Sequence, residues 1–240
     1  MRRCLAFAAL LAMLSVLAST VARAWEYGAN RAFAVYIEDG VRGEDLRDDV
    51  IVMFHGFRSA MPDYYFRILT PEFGDNHSVV GFNYDYTDVD RNIAEFEDFY
   101  GRFLGHRNVV FFGTSLGGFW ADYFGARLGV GKVILINPAI DPQATMRRAL
   151  GTNESRRRGI TFEVTEKAIE AYAALELTPA DGTDKLVVLT RDDSVLDYRA
   201  AEAFYEAQSH AAVRVYDEGG HSPPLDQPRF LDALKRFIDR

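Results

Sequence analysis

A chain of 240 residues with 48% apolar and 26% charged side chains is long enough for one sizeable core and short for two. That composition excludes a disordered chain, a collagen helix and a coiled coil. A formal charge of −8, from 35 acidic against 27 basic side chains with no basic stripe, argues against a nucleic-acid backbone as partner, because like charges repel.

The first predicted element is a leader. Arg2 and Arg3 give a positive start, residues 4–18 are apolar except for Ser15, and Ala22, Arg23 and Ala24 form a small-x-small cleavage site before Trp25. Residues 1–24 are therefore expected to be a secretory signal peptide, and 25–240 a single periplasmic or secreted domain with no stable membrane anchor after cleavage. The competing expectation is an uncleaved signal that anchors the chain, but the apolar run is short for a bilayer and Ser15, Ser19 and Thr20 interrupt it. Cys4 is the only cysteine and leaves with the leader, so the mature chain would have neither a disulfide nor a cysteine metal site.

From residue 34 onward, short β-branched runs alternate with stretches of helical period. Strands are predicted at 34–37, 51–54, 78–82, 109–112, 133–136, 186–189 and 213–216, and helices at 90–104, 115–128, 198–208 and 229–238. In 90–104, Ile93, Phe96, Phe99, Tyr100 and Phe103 recur at spacings of three and four and make one apolar face. Such alternation is the pattern of an α/β fold, a mostly parallel central sheet with helices on both faces. Residues 142–184 are too long for one plain crossover and are read as a short helical insertion, a candidate lid. It carries Arg147, Arg148, Arg156, Arg157 and Arg158 and an amphipathic stretch at 164–177. The plainer expectation is a pair of surface helices whose arginines face water.

The segment that carries chemistry is Gly113-Thr114-Ser115-Leu116-Gly117-Gly118, directly after a predicted strand and directly before a predicted helix. A strand turning sharply into a helix forces unusual backbone angles on the serine, and glycines two residues to either side leave room for the turn. A serine hydroxyl is a weak nucleophile at neutral pH and needs a base, and the base needs an acid to fix its tautomer. In this arrangement the chain order is serine, acid, histidine. Of five histidines, His221 comes late enough, after the last strand and the flexible Gly219-Gly220. The acid is expected beyond the preceding strand. Asp193 is the first choice, ahead of an apolar Val195-Leu196 step that would pin the loop to the core; Asp192 is the close alternative and Asp141 the third. Asp197 is read as a helix cap.

Backbone N–H groups of Leu116 and Phe57 are expected to form an oxyanion hole, with Gly56 allowing close approach and His55 bracing the loop. Tyr64, Tyr65, Phe119 and Trp120 are candidates for a substrate pocket, with an equal expectation that they are simply core. The histidines show no metal-ligand spacing, so no metal is expected.

These residues resemble the α/β-hydrolase superfamily, and among its members the small bacterial YqiA-like esterases. The resemblance runs through His55-Gly56-Phe57, the stretch from Gly113 to Ala121, Asn137-Pro138-Ala139, Val195-Leu196-Asp197-Tyr198 and Glu218-Gly219-Gly220-His221. It implies a compact serine hydrolase of carboxylic esters with Ser115, Asp193 and His221 as triad and no organic cofactor. The chain differs in its leader, in an Asp192-Asp193-Ser194 loop one residue longer than usual, and in a proline-free stretch at 83–88. The function expected is an exported serine hydrolase acting on a small-molecule ester, with thioesters suited to the same machinery. The rival is an inactive exported binding protein on a hydrolase fold.

Overall fold

The computed structural model describes residues 43–179 and 182–240, and the backbone of 23–26 and 34–37. Except for Arg23 and Ala24, the expected leader lies outside the described residues. The strands in chain order are β1 (Arg23–Glu26), β2 (Ala34–Ile37), β3 (Asp49–Phe54), β4 (Ser78–Phe82), β5 (Asn108–Thr114), β6 (Lys132–Ile136), β7 (Gly151–Ser155), β8 (Ile160–Val164), β9 (Asp184–Thr190) and β10 (Ala211–Tyr216). Eight of them form one sheet in the order β1-β2-β4-β3-β5-β6-β9-β10. Every pairing from β4 across to β10 is parallel, and β1 and β2 close the edge antiparallel. The helices are α1 (Tyr64–Phe73), α2 (Val89–Phe99), α3 (Leu116–Leu128), α4 (Pro142–Arg147), α5 (Glu166–Ala173), α6 (Tyr198–Glu206) and α7 (Pro228–Ile238).

The strands are near-continuous apolar runs because both faces of the sheet are covered. Along β3, Val50, Val52 and Phe54 point to one side and pack with Phe96, Phe111 and Phe124. Ile51 and Met53 point to the other, against Phe66 and Leu69 of α1 and Phe230 and Leu234 of α7. Helix starts are set by side chains that accept a first-turn N–H: Asp63, Asp88, Asp141, Thr165 and Asp197. The helix expected over 90–104 is α2 followed by a π-helical turn, Tyr100–Leu104. One buried polar cluster bolts three elements together: Lys185 on β9 lies 2.6 Å from Asp122 on α3, whose other oxygen accepts the hydroxyl of Tyr205 on α6 at 2.9 Å. Among the described residues, no helix is long and apolar enough to cross a membrane.

The insertion differs from the expectation of helices alone. It is α4, then a β7–β8 antiparallel hairpin, then α5. Thr152 and Glu154 face water while Asn153 and Ser155 are buried, so β7 alternates with polar residues on its inner face and carries no apolar period. The inner face is satisfied by hydrogen bonds instead: Asn153 Nδ2 donates to the carbonyls of Ala149 at 2.6 Å and Gly151 at 2.8 Å, and Ser155 Oγ donates to that of Arg58 at 3.1 Å. The start of the amphipathic stretch expected at 164–177 is split, Val164 ending β8 and Thr165 capping α5.

Parallel strands direct their carboxyl ends to one edge of the sheet, where the loops after β3, β5, β6, β9 and β10 meet.

Candidate active site

Ser115 occupies the single position between β5 and α3. Its φ of 54° and ψ of −122° lie where a non-glycine residue is strained. The backbone around it holds that conformation: Ser115 N–H donates to Ile136 O at 3.1 Å, and Ser115 O accepts the N–H of Gly118 and of Ala139, each at 2.9 Å. The surrounding glycines are a steric requirement. A Cβ on Gly113 would lie 2.1 Å from the Gly117 carbonyl oxygen, one on Gly117 would lie 2.2 Å from that of Phe54, and one on Gly118 would lie 2.8 Å from Pro138. The serine is buried except for 8% of its surface.

His221 follows β10 through Gly219 (φ 156°) and Gly220 (φ 61°). Its Nδ1 lies 2.8 Å from Asp193 Oδ2. A carboxylate accepts and does not donate, so Nδ1 carries the hydrogen, and in the neutral ring the lone pair then lies on Nε2. The other Asp193 oxygen accepts the N–H of Val195 at 2.7 Å and of Leu196 at 3.1 Å. Burial alone would raise the Asp193 carboxyl, but the His221 bond and these two amides outweigh it and hold it below the ordinary carboxylate range. The reason expected for choosing Asp193 does not operate. Val195 is 52% exposed, and the loop is closed by the two amide bonds to Asp193 rather than by an apolar step into the core.

The alternative acids have other partners. Asp192 accepts the N–H groups of Gly219 at 3.1 Å and Gly220 at 2.8 Å, which hold its carboxyl below the usual range and tether the histidine loop. Asp141 caps α4 by accepting the Ala144 N–H at 2.8 Å. A further positioning residue, Asn137, sits at the end of β6 with φ 41°. Its Nδ2 reaches the carbonyls of Gly220 at 3.0 Å and His221 at 3.2 Å, and its Oδ1 accepts the Thr190 N–H at 3.0 Å. Thr190 Oγ1 also donates to Gly220 O at 2.6 Å. The sequence assigns Asn137 no role beyond its place in Asn137-Pro138-Ala139, and its one local signal is an asparagine at a strand end beside Pro138.

Leu116 is the first residue of α3, so its N–H has no carbonyl one turn behind it and points out of the positive end of the helix. Phe57 lies on the loop after β3. A Cβ on Gly56 would stand 3.4 Å from Ser115 Cβ, so that loop runs directly beside the serine. His55 braces it. Burial lowers its pKa to about 3, its Nδ1–H donates to Gly56 O at 2.8 Å, and its ring stacks on Tyr84 with centroids 4.4 Å apart.

Ser115 and His221 line one cavity of about 270 Å³ together with Gly56, Phe57, Tyr64 and Tyr65. Phe119 and Trp120 do not reach it. They are 0% and 1% exposed on the inner face of α3, where Trp120 packs on Phe124 and on Tyr172 of α5. The core half of their expectation holds, because α3 runs from the serine back along the sheet and carries those rings inward.

The model of a family described as uncharacterised protein family UPF0227 matches residues 50–237. A UPF0227 protein of Vibrio parahaemolyticus is 22% identical over 194 residues, covering 78% of this chain and 98% of that one. Among solved structures, mouse alpha/beta hydrolase domain-containing protein 10 superposes with a TM-score of 0.68 at 15% identity, over 91% of this chain and 97% of that one. An esterase from Exiguobacterium antarcticum does so with a TM-score of 0.61 at 18% identity, over 87% and 96%. At these identities the likeness establishes the fold, which is that of the α/β hydrolases.

Proposed function

From the premise that this chain belongs to the uncharacterised protein family UPF0227 and has the α/β-hydrolase fold, we propose that it is an exported serine hydrolase that cleaves carboxylic esters through an acyl-enzyme on Ser115. The observation that carries this reading is the 2.8 Å contact from His221 Nδ1 to a buried Asp193, on the wall of a cavity that the strained Ser115 also lines.

In the proposed cycle Ser115 Oγ attacks the ester carbonyl carbon while its proton passes to His221 Nε2, and the carbonyl π electrons move onto oxygen. The N–H groups of Leu116 and Phe57 stabilise the oxyanion, and Asp193 stabilises the imidazolium. Collapse of the tetrahedral intermediate breaks the bond to the alkoxy group, which leaves with the proton from His221. Water then repeats the sequence on the acyl-enzyme, giving its proton to His221 and releasing the carboxylic acid and free Ser115. A thioester fits the same steps with a thiol as the leaving group.

Incubation with a fluorophosphonate probe tests the assignment. Covalent labelling of Ser115 that is lost in Ser115→Ala, together with ester hydrolysis lost in the same variant, is the expected result. Folded wild-type protein that neither labels nor hydrolyses esters sinks it and favours a binding protein on this fold. Export is tested separately by N-terminal sequencing of the protein recovered outside the cytoplasm. Trp25 is expected as the first residue, and a membrane-retained chain beginning at Met1 points to the uncleaved anchor.

A further inference from the structure

The turn of the β7–β8 hairpin, residues 156–159, places Arg157 on the wall of the cavity that holds Ser115 and His221. A second, larger depression of about 540 Å³ shares Phe57, Ser59 and Arg157 with that cavity and is otherwise lined by Arg58, Thr152, Asn153, Glu154 and Arg156. Arg157 therefore borders both spaces.

The basic wall is built rather than incidental. Arg58 follows Phe57 directly, adopts φ 61°, a strained backbone conformation for a non-glycine residue, and turns its guanidinium so that Nε donates to Asn153 Oδ1 at 3.1 Å. Ser155 Oγ in turn donates to the Arg58 carbonyl, so the hairpin and the oxyanion loop are fixed to each other. The acids facing these arginines are already committed. Glu154 lies 3.7 Å from Arg156 and offsets part of its charge, which leaves Arg58 and Arg157. Asp63, on the floor, accepts the Phe66 N–H at 2.8 Å as the cap of α1, and burial pushes its carboxyl up, which weakens its hold on Arg157. Arg157 itself donates to the Pro62 carbonyl at 3.3 Å, a long bond from a group with five N–H donors. A chain with a net charge of −8 thus sets Arg157 on the wall of its catalytic cavity and Arg58 and Arg156 in the depression beside it, where a single acid, Glu154, offsets part of the charge.

We infer that the substrate ester carries a second, anionic group, a carboxylate or phosphate, which Arg157 binds beside the catalytic cavity with Arg58 adding positive charge behind it; this rests on the serine-esterase reading. A guanidinium at such a mouth raises the local concentration of anionic substrate and fixes its orientation through paired N–H bonds.

The test compares kcat/KM within two matched ester pairs. One pair, para-nitrophenyl hexanoate and the para-nitrophenyl monoester of adipic acid, puts the anion on the acyl side. The other, the butyrate esters of methyl para-hydroxybenzoate and of para-hydroxybenzoate, puts it on the leaving group. In one pair the wild-type enzyme is expected to favour the anionic member by about tenfold or more, with the ratio falling as salt is raised. Arg157→Gln is expected to reduce that ratio by about tenfold, and Arg157→Lys to restore part of it. A ratio near one in both pairs, or a preference that neither salt nor Arg157→Gln changes, overturns the assignment while esterase activity stands. Absence of hydrolysis in all four esters together with no fluorophosphonate labelling overturns the esterase reading and this inference with it.

Discussion

Asp192 and Asp193 are neighbours in the chain but grip the histidine loop differently, Asp192 through the amides of Gly219 and Gly220 and Asp193 through the imidazole itself. Replacing Asp193 by Asn substitutes a group that can donate a hydrogen to Nδ1, which moves the histidine proton to Nε2 and removes the proposed base. Asp193→Asn is expected to lower kcat on a simple ester by roughly 10³- to 10⁴-fold with little change in KM. Asp192→Asn keeps an acceptor for one glycine amide, so its expected loss is about tenfold. A larger loss in Asp192→Asn than in Asp193→Asn would show that the acids had been assigned the wrong way round. The glycines beside Ser115 were legible in the sequence because their cause is local, a clash within four residues or with the adjacent strand. The choice between the aspartates was not, because it depends on which carboxylate faces a residue 28 positions away. The clamp by Asn137 was harder still, since its partners lie 83 and 84 positions further on.

At the scale of elements, the strands of the main sheet could be read because burial on both faces makes them unbroken apolar runs, as in Val50 to Phe54. The β7–β8 hairpin could not, because its inner face is held by Asn153 and Ser155, and buried polar residues leave no hydrophobic period to detect. That construction has a measurable consequence. Asn153 donates to two carbonyls and accepts from Arg58, so Asn153→Ala leaves buried groups unpaired on both sides. A loss of about 1–3 kcal/mol is expected in urea unfolding. The same variant frees the strained Arg58 turn beside Phe57, so KM for an ester should rise more than kcat falls. A variant as stable as wild type would mean that the hairpin is held by its apolar residues, Phe162 and Val164, and not by this polar seam.

The stability of the whole molecule draws on two buried polar features of different kinds. Lys185 and Asp122 are each 2% exposed and satisfy one another, so removing one charge strands the other; Lys185→Ala is expected to cost about 3–5 kcal/mol in urea unfolding, and the joint replacement of both residues much less. His55 is of the other kind: it is buried without an opposite charge beside it, and its pKa falls from 6.5 to about 3, chiefly through loss of hydration. Between those values the unfolded chain binds a proton that the folded chain refuses, so stability rises with pH across the window and drains away on acidification. The slope approaches about 1.4 kcal/mol per pH unit, or roughly 2 kcal/mol lost by pH 5. The depressed Asp193 carboxyl adds its own loss only at lower pH, as the medium becomes acid enough to protonate it. Thermal melts of wild type between pH 7 and pH 5 are therefore expected to show a falling Tm that flattens in His55→Gln. Parallel falls in the two proteins would place the acid sensitivity elsewhere and mean that His55 takes up its proton inside the folded core.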